Sequence, residues 1–471
     1  MMITLNDIKA VYFIGIGGIG MSALARFFNE KGVRVSGYDK TQTALTMQLE
    51  QEGLSIDYVD DVTHVPKDVQ LVVYTPAIPK DHKGYQYYLS NGFRVVKRSD
   101  VLQIITQDTF NICVSGTHGK TTISSMVGYL LRHSGFGCNA FLGGISVNYN
   151  RNFWAQEQSS THKDQVCVVE ADEYDRSFHK LSPDIAVLSS MDPDHLDIYG
   201  TPEAMEDAFI EFTGKIKSGG WLIHKYGLSR SGELKGTHRL TYSLSNASSN
   251  FYTENLRVES GTYFFDVQFQ SGTDNWRLSD VHLQVGGLHN VENAVAAIAV
   301  ARILKIDDEK IKAALKDFKG VKRRFEYVIN PAPNSVTLID DYAHHPAELK
   351  ALISGARSLF GKQKLILAFQ PHLFSRTKDL ADAFAESLDA ADEVLLLPIY
   401  PARELPMEGV TSELIFNKMN LKQKQLVTRE TLLHYAATLQ RNEPKPFVFI
   451  TAGAGDIDSL LSQLKEKLTG A

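Results

Sequence analysis

Short apolar runs recur along the chain, each ending in a turn of glycine or polar residues. Val11-Tyr12-Phe13-Ile14 is the first. Met21, Leu24, Phe27 and Phe28 then fall at helical spacing, and Val33 and Val35 begin a second run. The pattern returns at 69–74, 110–114, 166–169 and 185–190, and again at 336–339, 365–369, 393–397 and 447–450. Such runs predict buried strands, and the helical faces between them, such as Ile123, Met126, Val127, Leu130 and Leu131, predict crossover helices. Strand and helix alternating in this way predict an α/β protein of doubly wound sheets. Residues 221–285 differ. Thr262–Phe269 partly alternates between apolar and polar and glycines punctuate the segment, which predicts β-hairpins. No short repeat suggests a solenoid.

At roughly 150 residues per domain, a chain of 471 residues suggests three domains. The pattern divides it into a Rossmann-like domain at 1–107, a P-loop ATPase-like parallel sheet with added β-hairpins at 108–324, and a second Rossmann-like domain at 325–471. The apolar share of 43% and charged share of 22% are ordinary for a globular protein. A net charge of −6 offers no basic excess for sequence-independent nucleic-acid binding. No apolar run has membrane-helix length, and no basic segment precedes an apolar one at the N-terminus, so neither a membrane span nor a secretory signal is expected. The three cysteines, Cys113, Cys138 and Cys167, fit reduced core thiols of a cytoplasmic protein.

Chemistry concentrates where apolar runs end. Between Val114 and the helix comes Ser115-Gly116-Thr117-His118-Gly119-Lys120-Thr121-Thr122. A glycine turn from strand to helix aims backbone N–H groups at one spot, and the helix N-terminus adds positive charge, which suits phosphate. Lys120 supplies a point charge and the Thr121 hydroxyl is placed for Mg²⁺. The loop is the shorter G-x-x-G-K-T, because Val114 stands where a general P-loop has glycine. A structural glycine turn beside a surface lysine is the plainer alternative.

Earlier, Gly15-Ile16-Gly17-Gly18-Ile19-Gly20 opens a β-α-β unit, and Asp39 follows about 20 residues later, where a ribose-binding acid belongs. Such a loop binds a pyrophosphate, that of a dinucleotide or of a UDP-sugar. Thr75 opens the rigid loop that ends the 69–74 run. Glu170-Ala171-Asp172-Glu173 closes the 166–169 run, and acids at a strand end beside a P-loop suit Mg²⁺. His195 follows Asp194 at the next strand end, where Asp194 or Asp197 could equally cap a helix. His289, Asn290 and Asn293 enter an alanine-rich helix as base-reading groups or as caps. Arg323-Arg324-Phe325-Glu326 marks a domain junction. Asp340-Asp341-Tyr342-Ala343-His344-His345-Pro346 and Gln370–Arg376 end strands of the third domain.

Taken in order, G-I-G-G-I-G-M-S at 15–22, G-T-H-G-K-T-T at 116–122, E-A-D-E at 170–173, D-H at 194–195, H-N-x-x-N at 289–293 and D-D-Y-A-H-H-P at 340–346 resemble the Mur ligases of peptidoglycan synthesis, specifically their alanine-adding branch. The resemblance covers nearly the whole chain. It implies an ATP-dependent ligase that joins L-alanine to the lactoyl carboxylate of UDP-N-acetylmuramate through an acyl phosphate, acting as a monomer or homodimer on small molecules. By this resemblance Gly15, Gly17, Gly18, Gly20, Asp39, Thr75 and His118 hold the UDP-sugar. ATP lies on Gly116, Thr117, His118, Gly119, Lys120, Thr121 and Thr122, with His289, Asn290 and Asn293 near adenine and Arg324 and Asp341 reaching the nucleotide. Thr121, Glu170 and His195 hold Mg²⁺, and Tyr342, His344 and Arg376 bind the amino acid. Lys120, His195, Arg324 and His344 are the catalytic candidates, while the base that deprotonates the amine is His344, His345 or substrate phosphate. Several relatives carry a carbamylated lysine after D-H; Lys215 does not align with it, and no carbamate is expected. Three substrates call for domain closure, with Arg324 where a hinge would act.

Three rivals remain at this level. An NAD-dependent dehydrogenase would explain Gly15–Gly20 and Asp39 but not 116–122. A P-loop switch or motor would hydrolyse ATP without a sugar nucleotide. A recycling ligase would add a tripeptide to the same sugar nucleotide.

Overall fold

The structure, a computed structural model, describes residues 7–107, 109–157, 159–162, 164–193, 196–259, 261–402 and 404–470. The first apolar runs form a five-stranded sheet: β1 (Ala10–Ile14), β2 (Arg34–Tyr38), β3 (Ser55–Asp57), β4 (Leu71–Tyr74) and β5 (Val95–Lys97). All pair in parallel in the order β3-β2-β1-β4-β5. The winding reverses between β1 and β4, so a crevice opens at the C-terminal end of β1, where the glycine loop lies.

The central sheet has ten strands, which are β6 (Phe110–Ser115), β7 (Asn139–Ser146), β8 (Arg151–Trp154), β9 (Val166–Glu170), β10 (Ile185–Leu188), β11 (Trp221–Lys225), β12 (His238–Tyr242), β13 (Phe251–Glu259), β14 (Thr262–Ser271) and β15 (Asp274–Leu283). Their order is β15-β14-β13-β12-β11-β10-β6-β9-β7-β8. β6 lies between β10 and β9, parallel to both, with Val114 opposite Glu170 and Ser115 opposite Leu188. Three polar strand ends therefore meet at one edge. β7 and β8 pair antiparallel at one edge, and within 221–285 hairpin-type neighbours occur only from β13 onward. β11 and β12 are parallel strands of the main sheet, which corrects the hairpin reading of 221–285. Their connection carries only the short turn Ser231–Glu233 where a crossover helix would have announced parallel strands.

The third sheet comprises β16 (Glu326–Ile329), β17 (Val336–Asp341), β18 (Lys364–Phe369), β19 (Glu393–Leu396), β20 (Lys424–Leu426) and β21 (Phe447–Ala452), ordered β16-β17-β21-β18-β19-β20. It is parallel apart from β16. The two edge strands carried no apolar signal because an edge is only partly covered; Lys424-Gln425-Leu426 is mostly exposed. After β18 the chain forms two short helices, Phe374–Asp379 and Ala381–Leu388.

The chain forms two compact units. One holds residues up to Glu254 with Val267–Leu278 and Glu292–Leu315; the other holds Asn255–Asp266, Ser279–Val291 and Lys316 onward. The first sheet and the central sheet through β12 thus share a unit, and the helix Ile19–Glu30 ties them. Its Phe27 packs on Phe141 and Phe153 of the central sheet, with ring centroids 5.4 and 5.9 Å away. Arg26, 1% exposed, donates to Glu52 at 2.8 Å and to the Asn152 side-chain carbonyl. Asn152 in turn donates to the Ile19 carbonyl and to Ser22 Oγ, fixing the helix start. Removing one partner of a buried charged pair leaves the other desolvated. Arg26→Ala is therefore expected to cost about 3 kcal/mol of stability, read from the urea midpoint.

Candidate active site

At the end of β1 the chain turns under Tyr38, whose carbonyl accepts from Gly15 and Ile16 N–H at 2.8 and 3.0 Å. Gly15 has φ +86°, and a Cβ there would lie 2.8 Å from the Thr75 methyl. Gly17 N–H donates to Asp39 Oδ2 at 2.8 Å. Gly18 caps the helix Ile19–Glu30 without a side-chain acceptor. The positive end of that helix is thus left to a ligand. The Arg98 guanidinium occupies the space that a Cβ on Gly20 would need. Gly15, Gly17, Gly18, Gly20, Asp39 and Thr75 are brought together as expected by position. Arg98 is an addition that spacing alone could not signal.

In the central sheet Gly116 (φ +124°) and Gly119 (φ +82°) give the loop its path from β6 into the helix Lys120–His133. A Cβ on Gly116 would sit 2.7 Å from Ser190 N. Ser190 Oγ meets Thr117 Oγ1 at 2.8 Å and accepts from His118 N–H at 2.7 Å. Ser189 and Ser190, at the end of β10, therefore support the loop. The His118 ring is exposed, 3.7 Å from Asp192 Oδ2. Thr121 Oγ1 donates to Glu170 Oε1 at 3.1 Å, and Gly143 N–H donates to Glu170 Oε2 at 3.1 Å. Thr122 is buried behind them.

Lys120 Nζ donates to the Gly116 carbonyl at 2.7 Å and lies 2.7 Å from each oxygen of Glu173. Asp172 Oδ2 stands 3.6 Å from Arg98 Nη2. The turn Glu170–Glu173 therefore reaches Thr121, Lys120 and the arginine beside Gly20. Glu173 was legible only as part of its motif, not as the partner of Lys120.

A hydroxyl and a carboxylate side by side suit Mg²⁺, which binds through one or two carboxylates and fills its remaining positions with water and substrate phosphates. Thr121 and Glu170 fit that demand, although no cluster of three His, Cys, Asp or Glu suited to a metal occurs among the described residues. Asp194 and His195 lie outside the described residues. Asn293 faces the loop, with its Oδ1 2.9 Å from where a Gly119 Cβ would be. Asn290 instead donates to the Gly286 carbonyl at 2.6 Å, and the His289 ring lies against Gly287.

The second unit gathers the remaining candidates. Arg323, at φ +60°, binds Asp340 and the carbonyls of Gly453 and Gly455 and stacks 5.0 Å over Tyr342. Asp341 accepts from Phe325 N–H at 2.7 Å and Ala343 N–H at 2.8 Å. Burial pushes the Asp341 carboxyl up to about 6, although those bonds and Arg324 pull it down. His344 Nδ1 is 2.8 Å from the Tyr342 carbonyl, to which it must donate, so a neutral ring offers Nε2 as an acceptor. Burial holds this imidazole below its usual range, keeping it neutral. His345 is occupied as the N-cap of the helix Pro346–Phe360. The rings of His344 and His372 are 5.9 Å apart, and buried His372 Nδ1 and Arg376 Nη1 have no hydrogen-bond partner among the described residues. Tyr342 is exposed.

Family models match in the same order along the chain: "Mur ligase family, catalytic domain" at 10–109, "Mur ligase middle domain" at 114–301 and "Mur ligase, glutamate ligase domain" at 323–455. A UDP-N-acetylmuramate--L-alanine ligase of Porphyromonas gingivalis is 46% identical over 98% of this chain and 99% of its own length. The protein of the same name from Cytophaga hutchinsonii is 44% identical over 98% and 97%. Among solved structures, the UDP-N-acetylmuramate-alanine ligase of Thermotoga maritima superposes with a TM-score of 0.80 at 25% identity, over 98% of this chain and all of that one (100%). A murein peptide ligase from Psychrobacter arcticus shares the fold at a TM-score of 0.64, covering 98% and 99%.

Proposed function

The chain belongs to the Mur ligase family, and from that premise we propose that it joins L-alanine to the lactoyl carboxylate of UDP-N-acetylmuramate, converting ATP to ADP and phosphate. One observation carries the reading. In a single compact unit, a glycine loop suited to a diphosphate and a phosphate loop with Lys120, Thr121 and Glu170 flank one acidic turn that touches both. A dehydrogenase needs only the first of these loops.

A carboxylate does not acylate an amine at neutral pH, because oxide is a poor leaving group. The lactoyl carboxylate therefore attacks the γ-phosphorus of ATP, forming an acyl phosphate and releasing ADP. The alanine amine then attacks the acyl carbon and phosphate departs. In this assignment Gly15, Gly17, Gly18, Gly20, Asp39, Thr75 and His118 hold the sugar nucleotide, and residues 116–122 with Asn293 hold ATP. Lys120 and Arg324 offset charge on the transferring oxygens. Bound Mg²⁺, held by Thr121 and Glu170 with His195, supplies charge neutralisation at the phosphates. Tyr342, His344 and Arg376 take the amino acid. His344 is the base of choice, since its Nε2 is an acceptor while His345 serves as a cap. Asp341 acts on the nucleotide through the Phe325 N–H that it fixes beside Arg324. The reaction belongs to the cytoplasm, where ATP is available. Domain boundaries at 1–107, 108–324 and 325–471 follow from the same reading.

The deciding experiment is phosphate release with UDP-N-acetylmuramate and, separately, alanine, serine, glycine or a tripeptide. Alanine should give the highest kcat/KM. Tripeptide as the best acceptor would replace this reading with a recycling ligase, and turnover without sugar nucleotide would point to a switch or motor. A narrower prediction concerns the first loop. A Cβ on Gly17 would fall 2.8 Å from Asp39 Oδ2 and displace it. Gly17→Ala should therefore raise the Kd for UDP-N-acetylmuramate about tenfold, read by calorimetry, with ATP binding unchanged.

A further inference from the structure

Glu173 is a charged side chain only 1% exposed, and its partner, the Lys120 side chain, is 13% exposed. Its place is fixed from behind, because the buried Tyr199 hydroxyl donates to the Glu173 carbonyl at 2.6 Å. Arg176 N–H adds a second bond to that carbonyl at 2.9 Å, and the Arg176 guanidinium lies 5.1 Å over the Tyr199 ring. The carboxylate is therefore held rigidly against the one lysine of the phosphate loop. An ammonium has three donors, and Lys120 uses two on the Gly116 carbonyl and Glu173.

We propose that Glu173 is a positioning residue that stands in for a phosphate: it neutralises Lys120 while the loop is empty and competes with nucleotide for that ammonium, which eases the departure of ADP. The proposal rests on the function proposed above only in taking residues 116–122 as the ATP loop. The physical argument is one of exchange. A buried lysine without a counter-ion is strongly destabilised. With Glu173 in place, arriving phosphates must share or displace an existing ion pair, so part of their attraction to Lys120 is cancelled. Without the carboxylate, the same phosphates would relieve an unpaired charge and bind tighter. Lys120 is the residue acting on phosphate; Glu173 acts through it.

Glu173→Gln keeps the shape and an oxygen acceptor but removes the charge. Its test is ADP and ATP binding to the full chain by calorimetry, with steady-state kinetics alongside. The expected result is an ADP Kd lowered about tenfold, a lowered KM for ATP, and a kcat lowered through slower product release. A role in folding alone would weaken nucleotide binding. Nucleotide binding that is unchanged or weaker in Glu173→Gln overturns the proposal. Tyr199→Phe provides an independent arm, because it frees the Glu173 backbone while leaving every charge in place. It should lower the ADP Kd about twofold, and an unchanged or raised value counts against the proposal. Calorimetric ADP binding needs neither sugar nucleotide nor amino acid, so failure here is distinguishable from failure of the ligase assignment, which the phosphate-release assay reads.

Discussion

Lys120→Ala is expected to lower ADP formation about 10³-fold while leaving UDP-N-acetylmuramate binding intact. The lysine follows Gly119 directly and its ammonium lies on the Gly116 carbonyl, inside the loop that turns from β6 into the helix Lys120–His133. No other lysine or arginine is hydrogen-bonded to that loop among the described residues. Charge developing on the transferring phosphoryl oxygens would then meet, from this loop, only backbone N–H groups and the helix dipole, which are weaker than a full charge at contact distance. The sugar-nucleotide loop ends a different sheet and relies on Gly17, Asp39 and a different helix N-terminus. Quenched-flow ADP release, paired with calorimetric titration of the sugar nucleotide, checks both halves. Equal loss of the two would contradict the division of labour. The variant also strands Glu173 without its partner, so thermal stability should fall, and activity is best compared well below the melting temperature.

Glu170→Gln should cost about 10²-fold in kcat and raise the Mg²⁺ concentration needed for half-maximal rate about tenfold. The amide is nearly isosteric and its oxygen can still accept from Gly143 N–H or Thr121 Oγ1, so the turn keeps its shape. What disappears is one negative charge from a site with a single carboxylate and a hydroxyl. Mg²⁺ is a hard cation whose protein contacts are few, so losing one anionic oxygen removes much of its protein-borne attraction. The measurement is phosphate release across a Mg²⁺ titration. A variant whose Mg²⁺ dependence matches that of the parent would remove Glu170 from the metal site.

Much of this was legible before any coordinates. The strands β1, β4, β6, β9, β10, β17, β18, β19 and β21 announce themselves as apolar runs, because a strand covered on both faces favours apolar side chains throughout. The glycine loops were legible for the opposite reason, since backbone approach to phosphate tolerates no Cβ. Edge strands such as β16 and β20 escaped, being short and partly wet. So did β12, which joins the main sheet without a helix to announce it. Among site residues, those fixed by local spacing were visible: Gly116, Lys120, Thr121 and Glu170. Those brought in from distant positions were not. Arg98 reaches Gly20 from another strand's end, and Glu173 meets Lys120 across 53 positions of chain. Pairing of that kind is written in tertiary geometry, and one sequence does not record it.

The backbone at Gly116 has a consequence for medicinal chemistry. Any replacement there adds a carbon that must occupy the space of Ser189 and Ser190, on a φ that side chains rarely adopt. An inhibitor that took its affinity from the amides of this loop would therefore be difficult to escape. A resistance mutation at that glycine would disable the catalyst along with the drug's foothold.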